Sequence, residues 1–162
     1  MIKHMTYAAL ALSLGASQAA ALSCLRPDPV AAFKTVAEAD QTFFIVNGQF
    51  AFDTAGIPDP FKGPPQEVAV DATFRGKLLT SEGFTEDVQA PVTINLDCAG
   101  PWCARMSPNT DYMAFVLRTD TGLIFNVDPC YSFAFPNPKA DAIKAVEQCA
   151  AGGECEVKKE DG

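Results

Sequence analysis

Hydrophobic and polar positions change period along the chain, and each change marks an element. After Asp28-Pro29, the run VAAFKTVAEA places Val30, Phe33, Val36 and Ala37 on one helical face. Asp28 is a capping side chain, and Pro29 suits the first helical position. Gln41–Phe52 (QTFFIVNGQFAF) is rich in β-branched and aromatic residues. It predicts a long strand, kinked or bulged at Gly48. Residues 53–66 carry Gly56, Pro58, Pro60, Gly63, Pro64 and Pro65 and read as a loop. Alternation resumes over Glu67–Thr80, with Val68, Val70, Ala72 and Phe74 facing one way and Gly76 marking a second bend. A Ser81-Glu82-Gly83 turn precedes a further alternating run, Val88–Leu96. Tyr112–Leu117 and Leu123–Val127 flank Thr119-Asp120-Thr121-Gly122, a hairpin with its turn residues in place. Asn137-Pro138 is expected to cap a second helix running through Cys149, with Ile143 and Val146 as its apolar stripe. Beyond it, residues 152–162 are polar and are expected to fray.

These patterns amount to five strands and two short helices without an internal repeat. A two-sheet sandwich usually needs seven strands or more. Two strands with mid-strand glycines suit the sharp coiling of a small closed barrel. The expected fold is therefore mainly β: a five-stranded OB-type barrel with two short flanking helices.

The first residues change the picture of where the protein works. Met1–Tyr7 holds Lys3 and His4, Ala8–Ala16 is apolar, and Ala19-Ala20-Ala21 supplies small residues for cleavage after Ala21. That is a secretory signal pattern. The apolar run is less than half of the ~20 residues that a membrane span needs. Lipoprotein processing at Cys24 is a poorer reading, because Ala21-Leu22-Ser23 places leucine one position too late. The chain of 162 residues thus divides into a cleaved leader (1–21), one domain (22–150) and a polar C-terminal tail (151–162). The mature protein is expected to be secreted or periplasmic, stapled by disulfides and free of a transmembrane segment.

Charge and composition then remove function classes. The formal net charge of −8 becomes −9 once Lys3 leaves with the leader. Nucleic acids and anionic membranes need a cationic face, so neither is an expected partner. His4 is the only histidine and also leaves, which excludes Ser-His-Asp and Cys-His chemistry. Asp120-Thr121-Gly122 matches the aspartic-protease triplet, with Asp53-Thr54-Ala55 as a partial second copy. Such enzymes need two carboxylates close together, whereas Asp120 falls at a predicted hairpin tip. Glu154, Glu156, Glu160 and Asp161 are interrupted by Lys158 and Lys159 and lack calcium-loop spacing. No catalytic residue, cofactor or metal is expected.

Six cysteines remain: Cys24, Cys98, Cys103, Cys130, Cys149 and Cys155. An even count in an exported chain reads as three disulfides. Cys98–Cys103 and Cys149–Cys155 each enclose a glycine-containing spacer, which leaves Cys24 for Cys130. That last bridge closes a loop of about a hundred residues, worth up to ~4–5 kcal/mol in the chain-entropy description. Zinc sites usually use tighter knuckles, and an oxidising compartment competes for the thiols. Gly100-Pro101-Trp102 is similar to the residues of thioredoxin sites, but the spacing is C-x4-C rather than C-x-x-C.

The order of these features resembles the netrin-like module, the OB-fold unit of the tissue inhibitors of metalloproteinases. The resemblance rests on Leu22-Ser23-Cys24, the Pro-containing helix with Phe33, Ala39-Asp40 and the glycine-interrupted strand. Later come Cys103, Tyr112-Met113-Ala114-Phe115, Asp120-Thr121-Gly122, Ile124–Val127 and Cys130. It spans most of 22–130 and is sharpest from Cys103 to Cys130. It implies an exported OB-fold that binds other proteins, and it too pairs Cys130 with Cys24. Cys103 matches the family cysteine that bonds the first mature residue, which here is Leu22. In the inhibitors the N-terminal cysteine chelates the protease zinc, so this departure detaches metalloproteinase inhibition from the resemblance.

The expected function is a non-catalytic, monomeric protein-binding or inhibitor-like module. Its candidate contacts are Leu22, Ser23, the Phe61 loop and Trp102, with the partner protein unknown. Phe61 lies in PDPFKGPP, the stretch least suited to burial, and tryptophan is enriched at binding hot spots. Trp102 also has a structural reading, as a cover for a disulfide at the barrel end. The alternative function is an envelope-associated structural domain, lipid-anchored at Cys24.

Overall fold

The computed structural model describes residues 23–59 and 62–157. Residues 1–21, which hold the expected leader, Leu22, Phe61 and the last five residues of the expected tail lie outside the described residues.

The chain opens with helix α1 (Pro29–Ala37), where the Asp28 carboxylate accepts from the Ala31 N–H at 2.8 Å. Strands β1 (Phe43–Phe52), β2 (Val68–Thr80) and β3 (Gly83–Leu96) follow. A two-residue hairpin comes next, formed by β4 (Cys98–Ala99) and β5 (Trp102–Cys103). The chain ends with β6 (Asp111–Thr119), β7 (Gly122–Val127), β8 (Ala134–Pro136) and helix α2 (Ala140–Ala150).

Strand pairing closes on itself. β1 pairs with β2, β2 with β3, β7 with β6 and β6 with β1, all antiparallel, while β3 and β7 run parallel. This ring of five long strands is the OB-type barrel that the alternation predicts. β8 pairs with the first half of β6, beside the stretch that β7 leaves unpaired.

Inward positions from all five strands fill the barrel. Phe50 lies at its centre, 4.9 Å from the Phe74 ring, 5.0 Å from Phe125 and 6.2 Å from Tyr112. Ile94, Ala114, Val116 and Val127 complete that core. A second core lies outside the barrel wall. There α1 and α2 cover outward residues of β1 and β6, chiefly Ile45, Met113 and Phe115, through Ala32 and Val146. This accounts for β6 reading as an unbroken apolar run: Tyr112–Val116 is buried on both faces.

Four local expectations change. Gly48 carries no bulge, because the β1–β2 register runs unbroken through Gly48↔Gly76. The register shift falls instead between Leu78 and Leu79. β3 begins at Gly83 rather than Val88. Its first turn is masked by the exposed polar run Thr85-Glu86-Asp87, yet it stays paired to β2. Ala37 ends α1 and is exposed, and Ala32 takes the packed position. Asn137 does not cap α2: its backbone is left-handed (φ 48°) and its N–H donates to the Asp111 carbonyl at 2.7 Å, so α2 begins three residues later, after Lys139. The start of the tail is also tied back, by the Cys149–Cys155 bond and by Gly153 N–H donating to Gln148 at 2.9 Å.

Candidate functional site

Ser23 and Trp102, the candidate contacts among the described residues, lie at one end of the barrel, where β3 and β7 terminate. Asp97 follows β3, and its N–H donates to the Val127 carbonyl at 3.0 Å. Its own carbonyl accepts from the Ala104 N–H at 2.8 Å, across the base of the β4–β5 hairpin. The Cys98–Cys103 bond closes that hairpin, and Trp102 projects from it, 41% exposed.

The neighbouring turn after β7 is organised by one side chain. Asp128 accepts from the Cys130 N–H at 2.7 Å through Oδ1 and from the Ser132 N–H at 3.0 Å through Oδ2. This turn presents Cys130 to Cys24, and the two sulfurs are bonded. The bridge fixes the extended, exposed residues Ser23–Pro27 against the same end. Leu25, two positions after Ser23, is 92% exposed. Two tyrosines hold the remaining segment in place. The Tyr131 hydroxyl donates to the Arg105 carbonyl at 2.7 Å, and Tyr112 accepts from the Ser107 N–H at 3.2 Å. Ala104 and Met106 then plug the core.

Beside this plug lies a cleft of about 240 Å³, walled by Ile57, Pro58, Val68, Leu96, Cys103 and Met106. The loop from β1 to β2 forms its outer lip. Asp53 accepts from the Ala55 N–H at 2.9 Å, and Ile57 N–H donates to Thr54 at 3.0 Å.

Carboxylates gather around Asp97 at this end. Burial lifts the Asp97 carboxyl above its ordinary value, and repulsion from Glu67 and Asp128 lifts it further. Burial also raises the Tyr112 hydroxyl, against the lowering effect of the Ser107 N–H. All six cysteines are oxidised, so no thiolate is on hand as nucleophile or ligand. Asp120 is exposed at the β6–β7 turn, which is closed by Thr119 donating to the Gly122 carbonyl at 2.9 Å.

Of the contacts expected from sequence, Ser23 and Trp102 lie at this end. Leu22 and Phe61 lie outside the described residues, although the loop holding Phe61 lines the cleft through Ile57 and Pro58. Leu25 was not among the expected contacts. Its signal is an apolar side chain held between Cys24 and Pro27 with no element to bury it. Tyr131 is occupied by the Arg105 bond and by packing at the edge of the core. No protein-family model, characterised protein or solved structure matches this chain.

Proposed function

We propose that this chain is an exported, non-catalytic binding module on a netrin-like OB barrel. It would act as a monomer on a protein partner through the disulfide-bearing end. The observation that carries this reading is the pair of exposed apolar side chains, Leu25 and Trp102, held on short segments that covalent bridges pin in place. Pre-ordered segments lose little entropy on binding, and a tryptophan among them supplies the large desolvated contact typical of a hot spot. Three disulfides support the export reading, because such bonds persist in oxidising compartments. The Cys24–Cys130 bond favours a soluble module over lipid anchoring, since a thioether would need the same sulfur. Metalloproteinase inhibition is not part of the proposal: Leu22 stands in the family cysteine's place, and Cys103 is bonded to Cys98.

The test is a photoreactive residue at Ser23 in the natively exported protein. A discrete cross-link to one protein is expected. It should disappear with Trp102→Ala and survive Lys144→Ala on the distant helix α2. Failure to form an adduct, or an adduct indifferent to Trp102, overturns the reading.

A further inference from the structure

The opposite end of the barrel is not closed. β3 pairs with β7 only from Thr93 to Leu96, so its first half runs past the start of β7. From Glu86 to Val92, β3 therefore pairs with β2 on one side and, among the described residues, with no strand on the other. Inside this seam is a cavity of about 110 Å³. Its wall is wholly apolar and includes Phe44, Leu78, Val88, Ala90, Val116 and Leu123. A pocket lined only by apolar side chains favours hydrocarbon over water.

The backbone beside the cavity has a defined polarity. Asp97 N–H points to β7, as its bond to Val127 shows. Strand alternation then turns the N–H and C=O of Asp87 and Gln89, and the C=O of Pro91, toward the open side. Pro91 agrees with this assignment: a proline in a paired strand belongs where its missing N–H faces an unpaired edge. Val88, Ala90 and Val92, in between, send their side chains into the barrel.

Carboxylates outnumber cations around this edge, with Arg118 of β6 standing opposite Leu123 at the rim. Glu86 is exposed, stands opposite Leu78, and lies on the same face of β3 as Val88 and Ala90. Asp71 lines the adjoining groove with Pro91, Thr93 and Thr121. Asp120 lies at the neighbouring β6–β7 tip. The cations Arg75 and Lys77 lie one strand further away on β2, and Lys77 is ion-paired to Asp87 at 2.8 Å.

The geometry points to a second binding site, for an extended basic peptide that adds a strand to β3 over Asp87–Pro91. Its backbone pairs with Asp87 and Gln89, one apolar side chain of about leucine size enters the cavity, and its alternate basic side chains meet the rim carboxylates. Main-chain pairing supplies affinity in this mode, and the pocket supplies side-chain selection. The site is distinct from the Trp102 end.

The experiment titrates the full mature protein with a short synthetic peptide alternating lysine and leucine, followed by NMR and amide exchange. Saturable shifts are expected at Asp87–Ala90 and Leu123, with slowed exchange of the Gln89 amide. A peptide N-methylated at alternate amides should bind about tenfold more weakly or worse, because it cannot complete the ladder. Ala90→Phe, which fills the cavity, should abolish the shifts while urea unfolding stays cooperative. The N-methylated comparison needs no variant and decides the question if Ala90→Phe fails to fold. Absence of binding, equal binding of the two peptides, or non-saturating shifts spread over the acidic surface overturns the site. Shifts confined to the Trp102 end overturn it as well, and leave the function proposed above standing.

Discussion

Gly48 and Gly76 face each other across the β1–β2 ladder, and neither is there for backbone freedom. A Cβ on Gly48 would strike the Arg75 carbonyl oxygen and lie 2.6 Å from the Gly76 Cα. One on Gly76 would strike the Asn47 carbonyl oxygen and lie 2.7 Å from both the Gly48 Cα and the Phe74 ring. Most of these neighbours are backbone and cannot turn aside, so the two strands approach closely only because both side chains are missing. Gly48→Ala and Gly76→Ala should each cost about 2 kcal/mol or more, as overpacking does. The urea midpoint should fall in both, and a midpoint unchanged in either would remove this account of the pair. Asp97 makes the opposite kind of prediction. Its carboxyl is raised in the folded state, so the folded chain holds its proton more tightly than the unfolded chain does. Stability from this group is present below the unfolded value of about 3.8 and is lost as pH rises through the raised folded value. Asp97→Asn should therefore raise stability at neutral pH and flatten that part of the pH profile. A variant less stable at pH 7 than the parent would contradict it.

Elements at the site are built by side chains whose role is local geometry. Asp128 holds the turn that presents Cys130, through two backbone N–H groups on one carboxylate. Asp128→Ala should cost about 2 kcal/mol, since hydrogen bonds to a charged acceptor are stronger than neutral ones. It should also speed reduction of Cys24–Cys130 by a small thiol, while Asp128→Asn, which keeps one acceptor oxygen, should fall between. An unchanged reduction rate in the alanine variant would separate the turn from the bridge. The strands were legible because alternation over Glu67–Thr80 and Val88–Leu96 reports a one-sided burial that the barrel supplies. The start of α1 was legible because Asp28-Pro29 acts within its own turn. What escaped was set by partners distant in sequence. The first residues of β3 are strand because β2 lies beside them and Glu147 of α2 accepts from the Phe84 N–H at 3.1 Å. Asn137 is drawn off its capping role by the Asp111 carbonyl. The apolar seam beside β3 follows from where its ladder with β7 stops, and no periodicity marks that point.

On the scale of the whole molecule, the N-terminal segment is held to the barrel end chiefly by one covalent bond. Residues Ser23–Pro27 are exposed throughout, so they add little to either core. Cys24–Cys130 spans 106 positions, whereas Cys149–Cys155 spans six. In the chain-entropy description the first should contribute about 2.5 kcal/mol more than the second, because a longer loop restricts the unfolded chain more. Replacing each pair with serine and comparing urea midpoints tests this. The Cys24–Cys130 variant should show the larger loss yet still unfold in one cooperative step, because Phe50, Phe74 and Phe125 remain packed. Function should separate from folding in that same variant. With the bridge gone, Ser23 and Leu25 are no longer fixed at the turn that carries Cys130, and cross-linking from Ser23 should fall away while the barrel persists. If the cross-link survives intact, the staple serves stability alone and the binding end lies with the β4–β5 hairpin rather than with the N-terminal segment.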